Sequence, residues 1–224
     1  MALLILASRS PRRQALLRAA AVAFEVRVAS VDEREHNHGA PRAVALKTAW
    51  AKAADIARDA DDGDLVLAAD TIVVLDDRIL TQPAGRDEAA DMLRRLSGRA
   101  HTVLTGLALM RVGGPALSDV VRARVRFHTL DPTLIADYVA SGEADDKAGA
   151  YGIQGLGARF VAEVEGDLTA VVGLPMRRVW EMARELGGGD LFPADADLRA
   201  VAHAAFPDLA RLPEACLTGI APSR

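Results

Sequence analysis

Helix-like and strand-like stretches alternate along this chain, and that alternation restricts it to an α/β architecture. "ALLILA" at the N-terminus reads as a buried strand, and Ser10 then serves as a helix N-cap with Pro11 at the first helical position. The helix "PRRQALLRAAA" follows, and "FEVRVAS" reads as a second strand with alternating faces. A long helix is predicted from about Pro41 to Arg58. "DLVLAAD" is a short buried strand ending in Asp70, and "TIVVLDDRIL" a hairpin turning at Asp76 and Asp77. "RDEAADMLRRLSG" has acids early, arginines late and a glycine stop, the arrangement the helix dipole favours.

The second half continues the alternation. "HTVLTGLALMRV" and "VVRARVRFHTL" are two long strands joined through "GGP". "DPTLIADYVASG" is a capped helix, "GARFVAEVEGDLTAVVG" is strand-like around Gly166 and Asp167, and "LPMRRVWEMARELGGG" is a helix stopped by glycines. Beyond "GGGD" the composition shifts to Ala, Pro and Asp, with short helical patches near residues 195–204 and 206–212. This division gives a body over residues 1–189 and a helical extension over 190–224.

A chain of 224 residues, 50% hydrophobic, is long enough to bury a core without covalent staples. Its single cysteine, Cys216, excludes an internal disulfide framework and predicts a reduced, cytoplasmic protein. No apolar run approaches the ~20 residues of a membrane span, and the N-terminus lacks the pattern of a secretory signal. A net charge of −4 argues against broad nucleic-acid binding. Any anion this protein holds must therefore be met by a local cluster of positive groups.

"LASRSPRR" is such a cluster. A helix N-terminus offers unpaired N–H groups and a positive dipole end. Ser8 and Ser10 add hydroxyls there, and Arg12 and Arg13 add forked donors suited to phosphate oxygens. The alternative is a capped helix with solvated arginines. Asp70 is placed at the carboxyl end of a strand, where open α/β sheets hold ligands, and could bind Mg²⁺ or accept a proton from water. A turn aspartate is the competing reading. Glu33, beside Asp32 in "SVDERE", is a further candidate metal-side acid or a member of a solvated loop. In "DDKAGAYGIQG", Lys147 precedes glycines that allow close backbone approach to a ligand. Gln154 there carries both the donor and the acceptor needed to read a base edge. Ser97, Gly98 and Arg99 form either a helix stop or a phosphate contact.

Taken together, "LASRSPRR", "DE" at 32–33, "AKA" at 51–53, "AADT", "LSGRAHTVLTG", "DKAGAYGIQG" and "VVGLP" resemble the Maf family of nucleoside triphosphate pyrophosphatases. The resemblance spans residues 4 to about 186. It implies an elongated mixed sheet with flanking helices, in two lobes around a deep nucleotide-binding cleft. It also implies a divalent metal (Mg²⁺ or Mn²⁺), a homodimer in many members, and hydrolysis of a nucleoside triphosphate to the monophosphate and pyrophosphate. Arg12, Thr71 and Gln154 resemble the branch acting on dTTP and UTP rather than the branch acting on 7-methyl-GTP.

By the same resemblance, Ser8, Ser10, Arg12, Arg13, Lys52, Gln82 and Lys147 would grip phosphates. Asp70 and Glu33 would hold the metal, with Asp70 also activating water. Two departures stand out. Gln82 precedes Pro83 where the family usually has a lysine, and Ala170 stands where an asparagine is common. The loss of that lysine leaves open an alternative, a non-catalytic nucleotide-binding regulator of cell division or septum formation.

Overall fold

The computed structural model describes residues 2–32, 38–193, 197–213 and 216. The chain forms one mixed sheet. Strand β1 (Leu4–Leu6) leads into helix α1 (Pro11–Ala19), β2 (Glu25–Val26) and the long helix α2 (Pro41–Ala57). Strand β3 (Leu65–Leu75) turns into β4 (Arg78–Leu80), followed by α3 (Arg86–Leu96). The paired strands β5 (Ala100–Arg111) and β6 (Ala116–Phe127) come next, then α4 (Pro132–Ala140), β7 (Val161–Glu165), α5 (Leu168–Val172), α6 (Met176–Glu185) and α7 (Leu198–Ala205).

The strand order is β2-β1-β3-β5-β6-β7, with β4 paired to β3. The β2, β1 and β3 strands are parallel, and all later pairings are antiparallel. The expected mixed α/β sheet with flanking helices is therefore what the chain builds.

Residues of β3 alternate between two apolar environments, as the two-residue period of a strand requires. Leu65, Leu67, Ala69 and Val73 join the main core, which includes Leu4 and Leu6 of β1 and Leu16 and Leu17 of α1. Val66 and Ala68 face the other way, against Ala49 and Ala53 of α2. Small residues on α2 let the helix lie close to the sheet. At the far side of the sheet, β6 buries Ala123, Val125 and Phe127 while Arg124 and Arg126 pair with Glu165 and Glu163 of β7.

Three expectations are corrected. First, β3 does not stop at Asp70. Its apolar run continues through Leu75, and β5 pairs with it from Leu65 to Val74, so Asp70 stands in mid-strand opposite Gly106. Second, β2 is confined to two exposed residues at the sheet edge, because only Glu25 and Val26 find partners on β1. Third, the segment after Asp167 is helical. The Asp167 carboxylate accepts from Thr169 N at 2.8 Å, and Gly173 closes the turn at φ +119°. A five-residue apolar run has no period of its own, and the cap decides its conformation.

The hairpin at Asp76 and Asp77 forms as expected, with both residues at positive φ (51° and 60°), the requirement of a tight two-residue turn. Ser97 resolves as part of a helix stop: its hydroxyl accepts from Leu130 N at 2.8 Å. In the tail, Leu198, Val201, Ala202 and Leu209 join the main core. Among the described residues, no helix is long and apolar enough to cross a membrane.

Candidate active site

The site follows from how β3 is shared. Strand β5 occupies one edge of β3 along nearly its whole length. The opposite edge is split between β1, which ends its pairing at Leu67, and β4, which begins at Val73. Residues 68–72 on that edge therefore have no strand neighbour, and the "SRSPRR" turn leaves β1 at this gap. Asp70 and Thr71 lie within it, on opposite faces of the strand.

On the α2 face, Lys52 Nζ donates to Asp70 Oδ1 at 2.8 Å, and both side chains are about 11% exposed. A buried cation and a buried carboxylate tolerate loss of water because each supplies the other's counter-charge. Ala49, Lys52 and Ala53 share the buried stripe of α2, so the helix face that packs on the sheet also delivers the ammonium.

On the other face, Arg13 makes a bracket. Its Nε donates to Gly173 O at 2.8 Å, one terminal nitrogen donates to Ser8 Oγ at 2.9 Å, and the other to Thr71 Oγ1 at 3.4 Å. Thr105 Oγ1 donates its proton to Ala170 O at 2.8 Å, so in the 2.9 Å contact with Thr71 it is the acceptor. A directed chain thus runs from Arg13 through Thr71 and Thr105 to the backbone of α5. The backbone carbonyl of residue 170 is what this chain uses, so the Ala170 side chain costs it nothing. Ser10 is the N-cap residue of α1, but its side chain makes no cap bond; Ser8 Oγ instead accepts from Ser10 N at 3.2 Å.

A third cluster brings together residues from three parts of the chain. Asp146 accepts from Lys147 Nζ at 2.6 Å and from Arg12 at 3.4 Å through its carboxylate. Its backbone oxygen accepts from Gln82 Nε2 at 3.2 Å. Lys147 is also held by Glu143 O at 2.6 Å. The following loop is pressed onto β3. Gly149 has φ +69°, and a Cβ there would stand 2.9 Å from Val73 Cγ1, so the backbone approach needs glycine. Gln154 lies further along, half-buried, and its amide makes no hydrogen bond to a described residue. Glu33 lies outside the described residues, so its position relative to Asp70 does not enter the geometry.

Comparison with known proteins identifies the family. A family model described as Maf-like protein matches residues 3–186. The chain belongs to the Maf family. A protein from Anaeromyxobacter sp. (strain Fw109-5) named dTTP/UTP pyrophosphatase is 47% identical over 188 residues, covering 82% of this chain and 89% of that protein. One of the same name from Geobacillus sp. (strain WCH70) is 45% identical over 184 residues, with 82% and 98% coverage. A third, from Clostridioides difficile (strain 630), is 40% identical over 190 residues, with 84% and 97% coverage.

Several residues of this candidate site escaped reading from the sequence. Asp146 stands next to Lys147 but looks like part of a solvated acidic pair. Thr105 and His101 sit in "LSGRAHTVLTG", most of which reads as the start of a long strand. His101 is buried, its Nε2 is 2.8 Å from Tyr151 OH, and its ring meets Phe127 and Tyr151 edge-on. It thereby fastens the start of the Gln154 loop to β5. A histidine at the start of an apolar strand was the available signal.

Proposed function

We propose that this protein hydrolyses dTTP and UTP to the monophosphate and pyrophosphate at the gap on β3. The observation that carries the reading is the buried Lys52–Asp70 pair set in that gap, reached from the same turn that supplies Ser8, Arg12 and Arg13. A pure phosphate binder gains nothing from a buried carboxylate beside its ligand. A hydrolase needs one, because the attacking water must lose a proton. The names of the relatives support the same substrate class.

In this mechanism Arg12, Lys147 and Gln82 receive the phosphates, and Ser8 offers its hydroxyl beside them. Ser10 contributes at the mouth of α1. Arg13 fixes Ser8 and Thr71 and adds its positive charge. Lys52 holds Asp70 by one carboxylate oxygen, which orients the other lone pairs toward a water. That water attacks the α-phosphorus, its proton passes to Asp70, and the bond to the β-phosphate oxygen breaks to release pyrophosphate. In-line positioning and charge neutralisation carry most of such a reaction.

Among the described residues no group of three or more His, Cys, Asp or Glu side chains could cage a metal ion. The donor set nevertheless fits Mg²⁺ or Mn²⁺ brought in with a nucleotide, since Mg²⁺ sites commonly use one or two carboxylates plus substrate phosphates. Asp70, with Glu33, would hold it. When bound, the metal supplies neutralisation of the phosphate charge.

Gln154 is the residue we assign to base choice, accompanied by Arg12 and Thr71. A carboxamide can donate to O4 and accept from N3–H of uracil or thymine. We place the catalytic unit in residues 1–189 with 190–224 as an extension; the family match ends at residue 186. A cytoplasmic location suits a chain with one cysteine. A homodimer is part of the reading, with Trp50 of α2, 43% exposed, as an aromatic side chain available for contact.

The test is pyrophosphate release from a panel of ribo- and deoxyribonucleoside triphosphates, with 7-methyl-GTP included, at saturating Mg²⁺ or Mn²⁺. We expect dTTP and UTP to be cleaved at least ~10-fold more efficiently than CTP or the purine nucleotides, a discrimination of ~1.4 kcal/mol. A preference for 7-methyl-GTP would overturn the base assignment. Binding of dTTP with no pyrophosphate release from any nucleotide would overturn the hydrolase in favour of a nucleotide-binding regulator.

A further inference from the structure

The cations assigned to the phosphates already hold an anion, and that anion is part of the chain. Asp146 engages Lys147 with one carboxylate oxygen at 2.6 Å and Arg12 with the other at 3.4 Å. The partners differ in accessibility. The Lys147 side chain is 10% exposed and is anchored by Glu143 O, whereas the Asp146 side chain is 65% exposed. The ammonium is therefore fixed, and the carboxylate is the member of the pair that can turn out into water. Burial pushes the Asp146 carboxyl up, but the hydrogen bond and charge of Lys147, helped by Arg12, bring it below the ordinary aspartate value. It competes as an anion.

We propose that Asp146 is a resident counter-anion of the triphosphate site, which substrate phosphates displace from Arg12 and Lys147 and which reclaims both after hydrolysis. This rests on the pyrophosphatase reading above. A nucleoside triphosphate offers several negative oxygens to replace two contacts, so it can win this exchange. Each product makes only part of the contacts of the intact triphosphate, so the tethered carboxylate reclaims the cations more readily from pyrophosphate or the monophosphate. Asp146 thus weakens the hold on pyrophosphate and monophosphate and assists their departure. It stands at the phosphate contacts rather than beside Asp70, so it adjusts ground-state binding and leaves the chemical step alone. It is a positioning residue, not a catalytic one.

The experiment compares Asp146→Asn with the unmodified full-length protein. The affinity for inorganic pyrophosphate is read by calorimetry, and kcat and KM for dTTP by pyrophosphate or phosphate release. Removing the charge at constant shape should tighten pyrophosphate binding and lower KM together, about two- to fivefold, the range of partly exposed ion pairs. The gain should shrink as salt is raised, and kcat should not increase. Asp145→Asn removes a charge from the exposed neighbouring residue and should change neither constant.

Weaker pyrophosphate binding or a raised KM in Asp146→Asn would mean that the carboxylate orders the cradle, and the proposal would be overturned. Equal tightening by Asp145→Asn would overturn it too, reducing the effect to net charge. Asp146→Ala guards against a new hydrogen bond from the asparagine and should move both constants in the same direction. Calorimetry separates the two readings: absence of turnover in the unmodified protein defeats the activity, while the pyrophosphate comparison still decides the role of Asp146.

Discussion

Gly106 of β5 stands directly opposite Asp70 of β3, and a Cβ on that glycine would collide with the backbone oxygen of Ala45 in α2. The missing side chain is what allows α2 to lie against the sheet. Ala45 and Lys52 are seven residues apart on one helix face, so the close approach at Gly106 also brings Lys52 to Asp70.

Replacing Gly106 with alanine should force α2 away from the sheet. Overpacking of this kind costs about 1–3 kcal/mol of stability. The Lys52–Asp70 contact should lengthen with it, lowering kcat for dTTP more than it raises KM. Urea unfolding and steady-state kinetics on Gly106→Ala check both parts. A variant with native turnover would disconnect the helix seating from catalysis.

Asp70→Asn should reduce kcat about 10²–10⁴-fold, the usual contribution of a general base. The amide keeps the size of the carboxylate, so binding of dTTP should largely survive. Turnover under saturating metal and equilibrium binding together give the answer. Near-native turnover would remove Asp70 from the proton transfer.

Gln82 reaches the Lys147 loop through its contact with Asp146 O, and it is exposed at the edge of the cradle. Gln82→Lys should place an ammonium there and raise kcat/KM for dTTP by about fivefold, or ~1 kcal/mol. A neutral or slower variant would show that the remaining cations already saturate the phosphates.

His101 gives a pH signature. Burial lowers its pKa from 6.5 to about 3, so the folded protein keeps it neutral while the unfolded chain protonates it below about 6.5. Its contribution to stability is complete above 6.5 and is lost as pH falls toward 3, at up to ~1.4 kcal/mol per pH unit. His101→Gln removes the titration while retaining a polar partner for Tyr151. Unfolding free energies at pH 7.5 and pH 5 should differ less in the variant than in the unmodified protein. Identical differences would mean that other groups carry the acid sensitivity.

Much of the fold was written locally. Helix α3 with its acids early and arginines late, the capped helix α4, the Asp76–Asp77 turn and the β5–β6 pair follow from periodicity, charge placement, caps and turn residues within a few positions of each other. The motifs of the site were legible for the same reason, since Ser8 to Arg13, Asp70, and Lys147 to Gln154 are compact clusters of unusual residue types.

What the sequence determined by itself was which residue types are available and which short segments carry them. Only the tertiary structure decided which groups meet. It set Asp70 in mid-strand, because β5 pairs past it while β1 stops, and it opened the gap through that mismatch in strand length. It joined Arg12 to Asp146 across 134 positions and Arg13 to Gly173 across 160. Such pairings depend on strand register and helix seating, which are cooperative properties of the packed core. A short window of sequence contains neither.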